Sequence, residues 1–159
     1  MFTVAVLTLS DKCSRGERED LSGRLITNMI KDIGSVCYYE VLPDDRAVIK
    51  TRLLEYAGKV DLILTTGGTG LSPRDVTPDA TLDIIERQVP GIAEAMRQEG
   101  LKKTNMSMLS RAVAGVKGET LIINLPGSPK AVKENLEVIL NVLPHAIEKI
   151  KGDTRDCSG

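Results

Sequence analysis

Residues 61–78, DLILTTGGTGLSPRDVTP, hold the strand-to-helix transition that decides the fold. The run from Asp61 to Thr65 is short and mostly apolar, which predicts a buried strand. A glycine-rich turn follows it, and Thr77-Pro78 then predicts a helix with threonine as N-cap and proline at its first position. The stretch therefore predicts a strand that ends in a glycine loop and continues into a helix.

Similar apolar runs predict further strands on both sides of this stretch. They are Phe2 to Leu9, Val36 to Leu42 and Thr120 to Leu125. Between them, apolar residues recur at three- and four-residue steps, as in helices that bury one face. One such helix is predicted to begin near Leu21 and to end at Gly34 in a left-handed cap. The others are predicted to run from Asp45, as N-cap, to Gly58 and from Ser128-Pro129 to Ile150.

The order of these segments predicts the architecture. Strands that alternate with helices indicate parallel strands joined by right-handed crossovers, with helices on both faces of one sheet. The predicted fold class is α/β, a three-layer α/β/α sandwich around a mostly parallel sheet. We expect a single domain over residues 1–159, in which the polar segment 152–159 is a loose tail.

Composition excludes several classes of function. The 159 residues carry a net charge of -1 and only 3% aromatic residues, with no Trp, so neither a basic surface nor stacking platforms for nucleic acid are expected. The three cysteines form no C-x-x-C pair, so neither a disulfide framework nor a thiolate zinc site is expected. No apolar segment approaches the length of a membrane span. These features predict a cytoplasmic protein with no nucleic-acid or membrane partner.

Ligands of open α/β sheets bind beyond the carboxyl ends of the strands, so the loops that follow the strands are the candidate site. We expect these loops to face one crevice. They contain Ser10-Asp11, Pro43-Asp44-Asp45, Thr66-Gly67-Gly68-Thr69-Gly70 with Ser72 to Asp75, and Pro126-Gly127-Ser128-Pro129.

The Thr66 to Gly70 loop combines glycines with hydroxyl side chains and precedes a helix, which suits a phosphate. It matches neither G-x-x-x-x-G-K-[ST] nor G-x-G-x-x-G, so P-loop and dinucleotide-binding motifs are excluded. A purely structural strand-to-helix turn remains the alternative, because such turns also need glycine.

Asp44 and Asp75 are carboxylates on separate strand-end loops, a pattern that could bring both to one Mg²⁺ ion on phosphate oxygens. For Asp44 the alternative is that it, or Asp45, only caps the next helix. For Asp75 the alternative is a turn residue paired with Arg74.

Two further residues bear on the chemistry. Ser110 has no base motif near it, so a loop or cap role is the default. His145 is the only histidine, which disfavours chemistry that needs an imidazole base. Transfer of a nucleotidyl group to a phosphate needs no base, because the attacking oxygen is already ionised.

Three segments together, TTGGTG at 65–70, PRDVTPDAT at 73–81 and NLPGSP at 124–129, resemble the molybdopterin adenylyltransferases of molybdenum-cofactor biosynthesis. The resemblance extends to LSD at 9–11, LPD at 42–44, MLSR at 108–111 and IKGD at 150–153, and so spans nearly the whole chain. The same molybdopterin-binding-domain fold is found in the G domain of gephyrin-type proteins.

The resemblance implies an enzyme that binds molybdopterin and ATP with Mg²⁺ and forms adenylyl-molybdopterin and pyrophosphate. By position, Asp44 and Asp75 match two essential aspartates that act with the metal, and Ser110 matches a serine of the active site. The resemblance also implies a homotrimer, with molybdopterin synthase upstream and a molybdenum-insertion protein downstream. Phosphate, nucleotide or cofactor contacts are expected at Ser10, Asp11, Thr66, Gly67, Gly68, Thr69, Gly70, Pro126, Gly127 and Ser128.

Two other functions remain open. A non-catalytic paralogue or scaffold would hold molybdopterin without adenylylating it, although Asp44, Asp75 and Ser110 are all retained. A molybdenum-insertion enzyme would carry this fold as one part of a multi-domain chain, whereas here the domain is expected to stand alone.

Overall fold

The apolar runs predicted as strands form the centre of one sheet in the computed structural model, which describes residues 1–157. Within these residues the sheet has six strands. They are β1 (Phe2–Leu9), β2 (Gly34–Leu42), β3 (Leu62–Thr66), β4 (Arg87–Gln88), β5 (Ala114–Lys117) and β6 (Thr120–Leu125). Their order is β2-β1-β3-β6-β5-β4. The first four in this order are parallel, whereas β5 runs antiparallel to β6 and β4 antiparallel to β5.

Seven α-helices and one 3₁₀ helix connect these strands over residues 1–157. The 3₁₀ helix is Asn105–Leu109. The α-helices are α1 (Asp11–Ser14), α2 (Leu21–Ile30), α3 (Arg46–Tyr56), α4 (Thr77–Leu82), α5 (Pro90–Leu101), α6 (Pro129–Ile139) and α7 (Leu143–Ile150).

The side chains of the central strands alternate between the two faces of the sheet. In β1, Val4 and Val6 belong to a buried cluster with apolar residues of α2, α5, α6 and α7. Ala5 and Leu7 belong to a second cluster with residues of α3 and α4. The predicted α/β fold, with helices on both faces of a mostly parallel sheet, is therefore confirmed.

The antiparallel edge of the sheet was not predicted. β4 has only two residues, both exposed, and β5 contains Gly115, so neither carries the apolar run that identifies a strand. Glycine is needed at 115, because a Cβ there would lie 2.7 Å from the carbonyl oxygen of Arg87 and 2.5 Å from the Ile85 side chain. This edge thus depends on close backbone approach rather than on a sequence pattern.

Three details of the predicted helices are wrong. Gly34 is not a cap but the first residue of β2, where a Cβ would lie 2.8 Å from the Phe2 ring. Thr77 is the first residue of α4 rather than its N-cap, and its N–H donates to the Gly68 carbonyl at 3.2 Å. The predicted long helix up to Ile150 is two helices, since α6 ends at Ile139 and Pro144 lies in the first turn of α7.

The segment predicted as a loose tail, 152–159, contacts α7 over its described part. Lys149 Nζ donates to the Asp153 carbonyl at 3.2 Å, and Arg155 pairs with Glu148 at 3.1 Å. Ser158 and Gly159 lie outside the described residues. None of the helices over 1–157 combines the length and apolarity needed to cross a membrane.

Candidate active site

A cavity of about 460 Å³ lies at the carboxyl ends of β1, β3 and β6. We call it the aspartate cavity, because Asp44 and Asp75 both line it. The sheet topology places these residues together, since the ends of parallel strands meet at one edge. Other predicted site residues in its lining are Ser10, Thr66, Gly67, Gly68, Gly127 and Ser128.

Asp44 is held by a reciprocal pair of hydrogen bonds with the loop after β1. The Asp11 N–H donates to Asp44 Oδ2, and the Asp44 N–H donates to Asp11 Oδ1, each at 3.0 Å. The N-cap of α3 is Asp45, whose side chain accepts from the Val48 N–H at 3.0 Å. The capping alternative therefore applies to Asp45 and not to Asp44.

The second carboxylate oxygen of Asp44 is buried and has no hydrogen-bond partner within residues 1–157. Burial raises the pKa of Asp44, and the nearby carboxylates of Asp11 and Asp75 raise it further. An orphaned, buried carboxylate oxygen is costly unless a cation or donor binds it. Asp44 thus offers a carboxylate oxygen that is suited to bind a cation.

Asp75 belongs to a tight turn and also faces the cavity. Its Oδ2 accepts the Ser72 N–H at 3.0 Å, and its own N–H donates to the Ser72 carbonyl at 2.9 Å. Arg74 does not pair with it; the guanidinium instead makes a bidentate contact with Asp11 at 2.9 and 3.0 Å. The predicted alternative was therefore right about the turn and wrong about the ion pair.

Asp11 accepts hydrogen bonds from the Asp44 N–H and from the Arg74 guanidinium. The hydrogen bond from the Asp44 N–H, followed by Arg74, lowers the pKa of Asp11. Two adjacent carboxylates consequently differ, because Asp11 has a cationic partner and Asp44 has none among the described residues.

The glycine loop adopts a backbone that requires glycine at two positions. Gly67 and Gly68 have φ of +97° and +67°. A Cβ at Gly67 would lie 2.3 Å from the Leu9 carbonyl oxygen, so β1 and the loop approach each other at that point. The Gly67 N–H donates to the Leu125 carbonyl at 3.1 Å and is not free for a ligand. The N–H groups of Gly68, Thr69 and Gly70 donate to no backbone carbonyl in residues 1–157.

A neighbouring cavity of about 260 Å³ contains the remaining loop residues, Thr69, Gly70, Pro126 and Ser110. We call it the Ser110 cavity. The expectation of a single crevice is therefore wrong, because the glycine loop contributes to two cavities. The Ser110 hydroxyl accepts the Ala112 N–H at 3.3 Å, a local contact consistent with the loop role that the sequence also allowed.

Several residues that support the aspartate cavity were not predicted. Asp20 is the N-cap of α2, accepting the Gly23 N–H at 2.9 Å, and it also accepts the hydroxyls of Thr8 and Tyr39. Partial desolvation of the Tyr39 hydroxyl and its bond to Asp20 raise the pKa of Tyr39, although much of the ring is exposed. An aspartate just before a helical pattern is a cap signal that could have identified Asp20.

Other supports join residues that are distant in sequence. The Ser22 hydroxyl donates to the Gly127 carbonyl at 2.7 Å, across 105 residues. The buried Asn124 amide donates to the hydroxyls of Thr65 and Thr81, each at 3.0 Å, and so ties β6 to β3 and α4. No local sequence pattern indicates hydrogen bonds between residues so far apart in the chain. His145 lines neither cavity and lies on α7 with its Nε2 3.1 Å from Cys157 Sγ.

Residues 5–145 match the family described as a probable molybdopterin binding domain. The chain belongs to this family. It is 39% identical over 155 residues to the molybdopterin adenylyltransferase of Helicobacter pylori, covering 94% of this chain and 88% of that protein. The family resemblance inferred from the sequence is thereby confirmed.

Other members of the molybdopterin-binding-domain family show the same match. Gephyrin of Dictyostelium discoideum is 44% identical over 158 residues, which cover 92% of this chain but 22% of gephyrin. The crystal structure of the molybdopterin biosynthesis enzyme MoaB from Thermus thermophilus has 52% identity and a TM-score of 0.91, covering 96% of this chain and 98% of that one. The fold is therefore shared over the full domain.

Proposed function

We propose that this protein is a molybdopterin adenylyltransferase, which transfers AMP from ATP to the terminal phosphate of molybdopterin and releases pyrophosphate. The observation that carries the proposal is the placement of Asp44 and Asp75 in one cavity with Gly67 and Gly68. The name of the Helicobacter pylori relative, which aligns with nearly the whole chain, supports the same activity.

Mg²⁺ fits this site by the chemistry of its donors. Hard carboxylate oxygens are preferred Mg²⁺ ligands, and Asp44 offers one that is buried and has no partner in the part of the chain described. No group of three or more His, Cys, Asp or Glu side chains suited to a metal occurs in residues 1–157. Mg²⁺ is usually bound by one or two carboxylates together with substrate phosphates, so a cluster of three protein ligands is not required. Asp44 and Asp75 would hold the ion together with the phosphates, and it would neutralise charge on the phosphate oxygens.

The chain's own groups would orient the phosphates and stabilise their charge. The N–H groups of Gly68 to Gly70 are available as donors, and the N-terminus of α6 adds a positive dipole end beside Ser128. The attacking phosphate oxygen of molybdopterin is ionised at neutral pH, so no side chain has to remove a proton. Catalysis would then consist of alignment and charge stabilisation, which agrees with the lack of histidine in either cavity lining.

The wider setting is part of the same proposal. The protein would act as a cytoplasmic homotrimer that receives molybdopterin from molybdopterin synthase and passes the adenylylated product to a molybdenum-insertion protein. Exposed apolar side chains are available for such contacts, including Tyr39, Leu54 and Met106. Ser110 and its cavity would serve the substrate portion that extends past the glycine loop.

The test is pyrophosphate release from ATP and Mg²⁺ by the purified protein, with and without molybdopterin. We expect release only when the pterin is present, and about a 100-fold or greater loss in Asp75→Asn, since even outer-shell changes at metal sites cost 10–100-fold. A folded protein that binds molybdopterin without release would instead be the non-catalytic paralogue.

A further inference from the structure

Arg111 makes a set of contacts that the proposed reaction does not yet account for. It follows Ser110 directly, and its own N–H donates to the Thr69 carbonyl at 2.8 Å. Its guanidinium reaches back beneath the glycine loop, where Nε donates to the Gly70 carbonyl at 3.0 Å and Nη2 to the Asp75 carbonyl at 2.6 Å. One side chain therefore holds both ends of the exposed turn between Gly70 and Asp75.

The guanidinium is itself anchored to the next helix. Arg111 Nη1 and Nη2 donate to the two carboxylate oxygens of Asp79 in α4, at 3.2 and 3.0 Å. This bidentate contact fixes the plane of the fork, which Lys cannot reproduce with a single ammonium group. The pair is about one-third exposed, so the geometry of the fork matters more here than the energy of an ion pair.

The turn that Arg111 holds determines where the Asp75 carboxylate lies. Residues 71–74 are exposed, and the contacts inside the turn are those between Ser72, Arg74 and Asp75. Asp75 Oδ2 lies against Gly70, where a Cβ would be only 2.9 Å away. Arg74 anchors the middle of the turn through its contact with Asp11, whereas Arg111 holds the two ends. Release of Gly70 and Asp75 by Arg111 would therefore free the end of the turn that carries the Asp75 carboxylate and let it move relative to Asp44.

We propose that Arg111 is a positioning residue, which fixes the Asp75 carboxylate in the aspartate cavity and thereby sets the affinity of the site for a divalent cation. The proposal rests on the proposed function, because it assigns Asp75 a part in cation binding. Arg111 also joins the backbone of the Ser110 cavity to the aspartate cavity, so that the two cavities share one rigid support.

The test measures ATP binding by calorimetry with Mn²⁺ and again in EDTA, without molybdopterin. The wild-type protein is expected to bind ATP more tightly with Mn²⁺. In Arg111→Lys this enhancement should fall by about tenfold, the lower range for groups that support metal ligands. Binding in EDTA should change by less than about twofold, because the charge is retained.

Arg46→Lys is the matched control. Arg46 makes a similar bidentate contact, with Asp83 at 2.8 and 2.9 Å just after α4, and it does not hold the 70–75 turn. The Mn²⁺ enhancement should be unchanged in this variant. In an Asp75→Asn background, Arg111→Lys should cause no further loss, because the group to be positioned is already gone.

Three results would overturn the proposal: full enhancement in Arg111→Lys, an equal loss in the Asp75→Asn background, or no enhancement in the wild type. If Arg111→Lys fails to fold, Asp79→Asn keeps the arginine and weakens its anchor, and it should lose part of the enhancement; full enhancement there counts against the proposal. The binding test does not depend on turnover, so it can succeed when the separate pyrophosphate assay fails. A wild type that shows the Mn²⁺ effect but releases no pyrophosphate in that assay would refute adenylyl transfer and leave the role of Arg111 intact.

Discussion

The two carboxylate oxygens of Asp44 have different surroundings, and this difference bears directly on the proposed chemistry. One of its oxygens accepts a backbone N–H, and the other is buried without a partner among residues 1–157. The folded chain therefore holds a carboxylate under conditions that disfavour its charge, and burial raises its pKa. Such a cost is typical of binding sites, where a ligand later supplies the compensating charge.

Asp44→Asn is expected to stabilise the metal-free protein while abolishing Mg²⁺-dependent turnover. Because the folded-state pKa of Asp44 is raised, the carboxylate lowers the free energy of unfolding at pH values above that pKa. The advantage of Asn should thus be complete at neutral pH and disappear as pH falls below the ordinary aspartate range. Urea unfolding in EDTA at several pH values measures it. A variant less stable than wild type at neutral pH would contradict this account.

Gly67→Ala should destabilise the protein by more than about 3 kcal/mol, because it combines backbone strain with a steric clash. Its φ is +97°, and a Cβ would lie 2.3 Å from the Leu9 carbonyl oxygen. Gly58→Ala is the control, since φ is +86° but no atom of residues 1–157 would lie within 4 Å of the Cβ. Strain alone should cost it about 1–2 kcal/mol. Equal losses of stability in the two variants would show that the contact with β1 is unimportant.

At the scale of elements, adjacent aspartates divide two tasks at the end of β2. Asp45 caps α3 through the Val48 N–H, and Asp44 faces the cavity. Ser128 likewise caps α6, where it accepts the Ala131 N–H at 3.2 Å, and lines the same cavity. Caps at the carboxyl edge of the sheet therefore also shape the site.

Asp45→Ala should cost about 1 kcal/mol of stability through loss of the α3 cap and leave turnover within about twofold of wild type. Thermal unfolding and the pyrophosphate assay on one preparation measure both. A large loss of turnover with unchanged stability would reverse the roles assigned to Asp44 and Asp45.

The elements that sequence predicts best are those with a local signal. The four central strands are apolar runs, and caps such as Asp45 and Ser128 precede clear helical patterns. The sequence does not predict β4 and β5, because their pairing depends on close approach of the two backbones at Gly115. Gly34 was misassigned because glycine serves both left-handed caps and crowded strands, and the sequence around it does not distinguish the two.

At the scale of the whole molecule, the parallel sheet gathers residues from four loops at one edge. This rule of topology predicted that Asp44 and Asp75 would meet at one cavity. It did not predict that Thr69, Gly70 and Ser110 would belong to a second cavity, nor that Arg111 would brace both. Those features depend on side-chain contacts across tens of residues, which no local pattern encodes.

The homotrimer is a prediction at this scale. Sedimentation equilibrium should give a mass about three times the 17.2 kDa of the chain. Exposed Tyr39 and Leu54 offer apolar surface for such an interface, so Leu54→Glu tests one candidate contact without altering the cavities. A mass of one chain at every protein concentration would contradict the trimer.

The central claim is that the adenylyl group moves from ATP to the phosphate of molybdopterin. The most direct measurement uses ATP radiolabelled at its α-phosphorus, incubated with Mg²⁺, molybdopterin and the protein, with the products separated by chromatography. We predict label in a pterin-linked product, formed in step with pyrophosphate and missing from Asp75→Asn. Label that stays in ATP, while the same folded sample binds molybdopterin, would contradict the claim.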